Sequence, residues 1–167
     1  MAFHFHSGYY TAPGWYVDDV AVVTGTPVFN NPEGFEQGLG DWSVDHGTWE
    51  VGNGAAAYDG TNCAGTVQVG NYQSYSDSAL ISPPFVVPTI SPALRFWQWF
   101  HLAGSYNGDG GSYGYVEIKA GTNDWQALSP HYTVQSGVWT EPFFDLTSYA
   151  GQTAQVAFRF HSGYYTD

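Results

Sequence analysis

Residues 2–11 read AFHFHSGYYT and residues 157–166 read AFRFHSGYYT. Nine of the ten positions are identical at an offset of 155, and only His4 against Arg159 differs. A repeat changes the reading of everything between its copies, and this period is about that of one domain. The chain reads as a window cut from a tandem array of such units, opened near the end of one of them. On that reading residues 1–24 are the closing strands of a preceding unit, residues 25–32 a linker, and residues 33–167 the next unit, without its own closing strand. The stretch Thr24-Gly-Thr-Pro-Val-Phe-Asn-Asn-Pro32 suits a boundary, being rich in turn formers and proline.

The repeated segment is a strand, and so is most of what lies between. Helical periodicity is absent, and Gly, Pro, Asn and Ser interrupt the chain about every ten residues. Alternation is explicit in several places. Val156, Phe158 and Phe160 share a face against Ala157, Arg159 and His161, and Val116 and Ile118 oppose Tyr115, Glu117 and Lys119. Leu94, Phe96, Gln98, Phe100 and Leu102 oppose Arg95, Trp97, Trp99 and His101. Period two with one apolar face requires an antiparallel sheet half-covered by another. The pattern predicts strands near 2–7, 14–23, 42–45, 48–52, 55–58, 65–69, 78–82, 93–102, 113–120, 125–128, 139–145 and 153–162. A dozen short strands with Gly/Pro turns imply an all-β, two-sheet antiparallel β-sandwich of jelly-roll type.

Charge narrows the partners. Three basic residues stand against fifteen acidic ones, a formal net charge of −12. A phosphate backbone needs several Lys or Arg, so nucleic acid is excluded, and an anionic membrane surface is disfavoured. No apolar run approaches the ~20 residues that span a bilayer, so no membrane insertion is expected. The partners left are neutral or cationic: sugars, divalent metal ions, or identical units. The single cysteine, Cys63, cannot form an intrachain disulfide.

A family resemblance rests on particular residues. Gly34-Phe35-Glu36, Asp41-Trp42, Trp49 and the Tyr58-Asp59-Gly60 turn resemble the opening of MAM-like and carbohydrate-binding-module-like β-sandwiches. Ala79-Leu80-Ile81-Ser82-Pro83 and Leu94-Arg95-Phe96-Trp97 resemble their middle strands. Asp109-Gly110-Gly111 followed by Gly114-Tyr115-Val116-Glu117-Ile118 is similar to their "DGGYVEI" segment, with Ser112-Tyr113 inserted. Asp145–Gln152, Val156–Phe160 and Gly14-Trp15-Tyr16-Val17-Asp18-Asp19-Val20 resemble the closing part, which here comes first. Such modules are appended to secreted metallopeptidases, glycosidases and adhesins, which implies an extracellular or cell-surface location. The resemblance also implies calcium pinning the first strand to the last, through Glu36 and Asp18, with Asp19 and Asp59 as further ligands. An acidic chain with Gly-rich turns is chemically suited to an ion that takes six to eight oxygens. Asp18 and Asp19 interrupt an apolar strand, so one of them should point into the core; the alternative to a metal is a carboxylate capping loop N–H groups.

Other features carry less chemistry. Asn107-Gly-Asp109-Gly-Gly holds one carboxylate and reads as a hairpin, not an EF-hand. His4 and His6 share a strand face, but the second copy replaces His4 with Arg159, so the pair is not a required metal site. No nucleophile elbow, zinc-protease motif or phosphate loop appears, and no enzyme is expected. Trp97, Trp99, Tyr106 and Tyr113 are the rings placed to stack on a sugar. The first expectation is a non-enzymatic extracellular structural or adhesive repeat, calcium-stabilised and joined head to tail, with Phe3, Phe5, Trp15, Val17, Val20 and Val22 at the join. The alternative is a carbohydrate-binding module of a secreted hydrolase or peptidase, with polysaccharide as partner.

Overall fold

A computed structural model describes the chain at residues 2–10, 12–23, 32–54, 57–104 and 111–166. Its strands are β1 (Ala2–Tyr10), β2 (Gly14–Val23), β3 (Ser43–Asp45), β4 (Glu50–Gly52), β5 (Cys63–Gly65), β6 (Asp77–Ile81) and β7 (Phe85–Val86). They continue as β8 (Ala93–His101), β9 (Tyr113–Ala120), β10 (Gln126–Ala127), β11 (Tyr132–Thr133), β12 (Phe143–Asp145) and β13 (Thr153–Thr166). The one helical element among the described residues is a 3₁₀ turn, Thr147–Tyr149. One sheet has the order β10-β9-β13-β1-β6-β3, with β11 against β9 and β7 against β13. The other has the order β12-β8-β2-β5-β4. The chain passes repeatedly from one sheet to the other, which is the jelly-roll habit within a two-sheet sandwich.

The alternation read from the sequence sets the core. Leu94, Phe96, Gln98, Phe100 and Leu102 are buried, while Arg95, Trp97, Trp99 and His101 sit half-buried on the outer face. Val116, Ile118, Val156, Phe158 and Phe160 meet them from the facing sheet. Trp15 is at the centre, edge-on to Phe158 and Trp49 at 5.7 Å. Its indole N–H donates to the buried Gln98 Oε1 at 3.1 Å, so the polar residue in that apolar row has a partner.

Two departures from expectation have local causes. The strand expected at 65–69 is instead 63–65. The Gln68 side chain turns back, donating to the carbonyls of Cys63 and Glu50 at 2.9 and 3.0 Å and accepting from Gly54 N–H. Residues 57 and 58, expected at the end of a strand, form a turn instead. The two-residue strands β7 and β11 are too short to show alternation and escape a sequence reading.

The duplicated segment has an unusual outcome. β13 pairs antiparallel with β9, placing Ala157 opposite Glu117, Arg159 opposite Tyr115 and His161 opposite Tyr113. β1 pairs with the same strand in the same register, with Ala2, His4 and His6 opposite those same three residues. The His6 and His161 rings fall in one place. Both copies lie in the slot between β6 and β9. The two copies thus present the same register to β9, and toward their ends they pair with each other in parallel, Ser7 with Ser162 and Gly8 with Gly163. β2, expected across a join between units, is seated between β8 and β5 of its own chain. The linker expected at 25–32 lies, but for Pro32, outside the described residues.

Candidate functional site

Three segments converge on one acidic corner: β2 where it bulges, the loop 33–36, and the turn 58–62. β2 pairs with β8 in register as far as Asp18↔Trp97 and resumes at Ala21↔Arg95. The break contains Asp19, whose φ of 47° lies in the left-handed region that Asp and Asn tolerate best. After the bulge Val20 exchanges backbone hydrogen bonds with Glu33, which brings Gly34-Phe35-Glu36 alongside. Phe35, itself at φ 57°, is fully buried against Trp42 and fixes that loop.

Asp18 is buried, but not between the sheets. Opposite residues of antiparallel strands share a face, so Asp18 lies with Trp97 on the outer face. The turn at 58–59 covers it. Its Oδ2 accepts the N–H groups of Tyr58 and Asp59 at 3.0 and 3.3 Å, and its Oδ1 accepts that of Asp19 at 3.0 Å. The inward carboxylate expected from the sequence is therefore a carboxylate capping a loop. Burial nevertheless pushes its pKa up to about 7, against the opposing pull of those N–H groups. Glu36 does similar work at the surface. Its Oε1 accepts Thr61 and Asn62 N–H at 2.8 Å each, which holds its pKa below the usual range. A Cβ on Gly60, at φ 70°, would sit 2.5 Å from that oxygen, so only glycine lets the turn close over Glu36.

Asp19 differs from both. Burial raises its pKa first, and the charges of Asp59 and Glu36 raise it further. Among the described residues, no Lys, Arg or His forms an ion pair with any of the four carboxylates. No three of them bring ligand oxygens within 4.8 Å of one another. All four expected metal-site residues thus gather at one corner. Asp18 has both oxygens engaged by N–H donors and Glu36 Oε2 accepts the Asn62 amide at 3.5 Å, whereas Asp19 bears the repulsion of Asp59 and Glu36.

The expected sugar-stacking rings are differently placed. Trp97 is covered by Tyr58, whose ring stacks on it at 3.8 Å and 10°, with Trp139 edge-on to Tyr58 at 5.9 Å. Trp99 packs on Tyr16 at 5.5 Å. The two Trp share a face, as expected, but Trp97 is no open platform; Tyr58 is the more exposed ring of the group. Tyr113 stacks on His131 at 4.2 Å on the other sheet. Tyr106 and the 107–109 hairpin lie outside the described residues.

The slot carries a residue that sequence reasoning passed over. Glu117 is only 5% exposed although it belongs to the outer face of its sheet. Arg159 donates to its Oε1 as an ion pair. The available signal was the lone His-to-Arg difference between otherwise identical copies, since a cation on a semi-buried strand face implies a carboxylate opposite. His6, Asp77 and His161 bring ligand atoms within 4.8 Å. His6 and His161 are the same position of the two copies, so the group amounts to one kind of imidazole and one carboxylate, too few for a metal centre. Cys63 is buried and its thiol is pushed up to about 12, chiefly by burial, the opposite of what a nucleophile requires.

Over 138 residues, 77% of the chain, the sequence is 32% identical to Bacillopeptidase F of Bacillus subtilis (strain 168). The matched region is 9% of that protein's length. No protein-family model matches the chain. No solved structure matches it. An all-β sandwich related to so small a part of a peptidase fits an accessory segment of a larger polypeptide.

Proposed function

We propose that this chain is a non-catalytic extracellular β-sandwich module, one repeat of an array whose units follow head to tail, with calcium tying each unit's first loop to its closing strand. The carrying observation is the shared register of β1 and β13 on β9. Two segments 155 residues apart that fit one slot in one register are equivalent parts of successive units. Each then fills the slot of its own unit, and β2 following β1 is the closing strand of the unit before. The relation to part of a peptidase supports an appended role, in the manner of the modules the sequence resembles.

Calcium fits the corner by the chemistry of its donors. The charges of Asp59 and Glu36 add to the raised proton affinity of Asp19, with no cation paired to any of the three among the described residues, and a hard divalent ion relieves that. Asp18 would act from behind, holding the 58–59 turn in place.

The array reading is tested by appending a second copy of residues 12–23 after Thr166. The appended strand should take β2's place between β8 and β5, raise the melting temperature, and leave residues 1–23 sensitive to protease. An unchanged melting temperature with residues 1–23 still protected would count against the repeat. A second reading, carbohydrate binding, rests on Tyr58 and Trp139 around Trp97. Retention on insoluble polysaccharide that is lost in Tyr58→Ala would favour it.

A further inference from the structure

Asn53 is exposed just past β4, which ends the β12-β8-β2-β5-β4 sheet, and Gly54 follows it. This dipeptide carries latent chemistry. The backbone nitrogen after an asparagine can attack the side-chain amide carbon, and a glycine there has no Cβ to obstruct the approach. A bond forms between the Gly54 nitrogen and Asn53 Cγ, closing a succinimide. Ammonia leaves from Cγ, and water then opens the ring to aspartate or isoaspartate. We propose that Asn53 is a site of this covalent modification and that Gln68 keeps it closed: reaction waits until the Gly54 N–H is released from the Gln68 side chain.

The nucleophile is engaged, since Gly54 N–H donates to Gln68 Oε1 at 3.0 Å. To attack, the nitrogen must lose that proton and turn toward Cγ, and the bond opposes both steps. Nor is Gln68 free to swing away. It is buried, its Nε2 donates to the carbonyls of Glu50 and Cys63 at 3.0 and 2.9 Å, and its own backbone N–H donates to Glu50 Oε2 at 3.1 Å. The two carbonyls use both amide protons, so the side chain presents only its oxygen to Gly54. Glycine at 54 is moreover forced. A Cβ there would stand 1.8 Å from the Gln68 carbonyl oxygen and 2.4 Å from the carbonyl carbon, so no larger residue can take the place and slow the reaction sterically. The close approach that demands the most permissive neighbour for Asn53 thus also brings the group that restrains it. Opening of the lock leaves a lasting record. The isoaspartate product inserts a methylene into the backbone between β4 and Gly54, and either product adds a negative charge to a chain at −12.

Peptide mapping by mass spectrometry, on the full chain aged in mildly alkaline buffer with and without denaturant, reads conversion at Asn53. Conversion in the folded chain should be at least about tenfold slower than in the unfolded one, the protection expected of a nitrogen that reacts only on local opening. Equal rates would overturn the proposal. The variant Gln68→Asn is one methylene too short to hold both Gly54 and the two carbonyls. Judged folded by its thermal transition, it should convert at a rate within about threefold of the unfolded chain; a folded variant as protected as the original would overturn the role of Gln68. A second measurement needs no variant. Exchange of the Gly54 amide hydrogen, followed by NMR in the original chain across sub-denaturing urea, should accelerate in parallel with conversion of Asn53, because both require the same opening. A Gly54 N–H that exchanges freely while Asn53 stays intact would place the restraint elsewhere and overturn the lock.

Discussion

At the scale of single residues the acidic corner assigns different jobs to neighbouring aspartates. Asp18 accepts three N–H groups under a turn, and Asp19 sits at a left-handed backbone position facing other carboxylates. Asp18→Asn leaves one acceptor where two were engaged, so it should destabilise by ~1–3 kcal/mol whether or not calcium is present. Asp19→Asn should do the reverse in chelator. It removes a like charge at a φ that asparagine tolerates well, so the melting temperature should rise slightly. In calcium the same variant should lose the gain expected of the original chain if it binds the ion there, ~2.7 kcal/mol at a hundredfold excess over Kd. Calorimetry of both variants with and without chelator reads this directly; equal losses for the two in chelator would refute the division of roles. The sequence brought all four acids into view but could not rank them. Which of two adjacent strand residues faces a ligand depends on a bulge, and no local residue signal marked one at Asp18-Asp19.

Among the elements, the strands with clear alternation were legible and the ones ended by side-chain bonds were not. β8, β9 and β13 lie where period two placed them, because burial of every second residue leaves few other registers. β5 ended early because Gln68 bonds across to Cys63 and Glu50, a contact no pattern announces. Gly114 is a similar case. It interrupts β9 between Tyr113 and Tyr115, and a Cβ there would stand 2.6 and 2.8 Å from carbons of the Trp15 ring. Trp15 has no room to retreat, being fully buried and hydrogen-bonded to Gln98. Gly114→Ala should therefore destabilise by ~1–3 kcal/mol, the range for overpacking. Chemical denaturation with an unchanged midpoint would show that β9 and Trp15 are less tightly fitted than this. Gly114 also pairs with Phe160 and with Phe5 of the other copy, so the same variant should weaken the pairing of both copies with β9 alike.

For the whole molecule the decisive fact is that β2 completes a sheet whose other strands, β4, β5, β8 and β12, come from residues 50–145. β2 pairs with β8 over Gly14–Asp18 and again over Ala21–Val23, and with β5 at Tyr16 and Val17. Every one of these contacts would be the same if β2 came from a second copy of the chain, because the slot recognises the strand and not its tether. Choice between own and neighbouring β2 then falls to effective concentration, on the order of millimolar for a short tether. At low protein concentration the chain closes on itself. Refolding near that concentration should yield dimers and longer head-to-tail species, since a heterologous exchange continues until rotation closes it. These species should persist for hours after dilution, because release requires breaking the β2–β8 ladder and exposing Trp15, Val17 and Val20, all 5% exposed or less. Light scattering coupled to size exclusion, run before and after dilution, measures both properties. Val17→Asp should abolish the larger species together with the folded monomer, since one buried strand serves both. A chain that stays monomeric when refolded at millimolar concentration would show that β2 is committed to its own body, and that joining between units needs a continuous polypeptide.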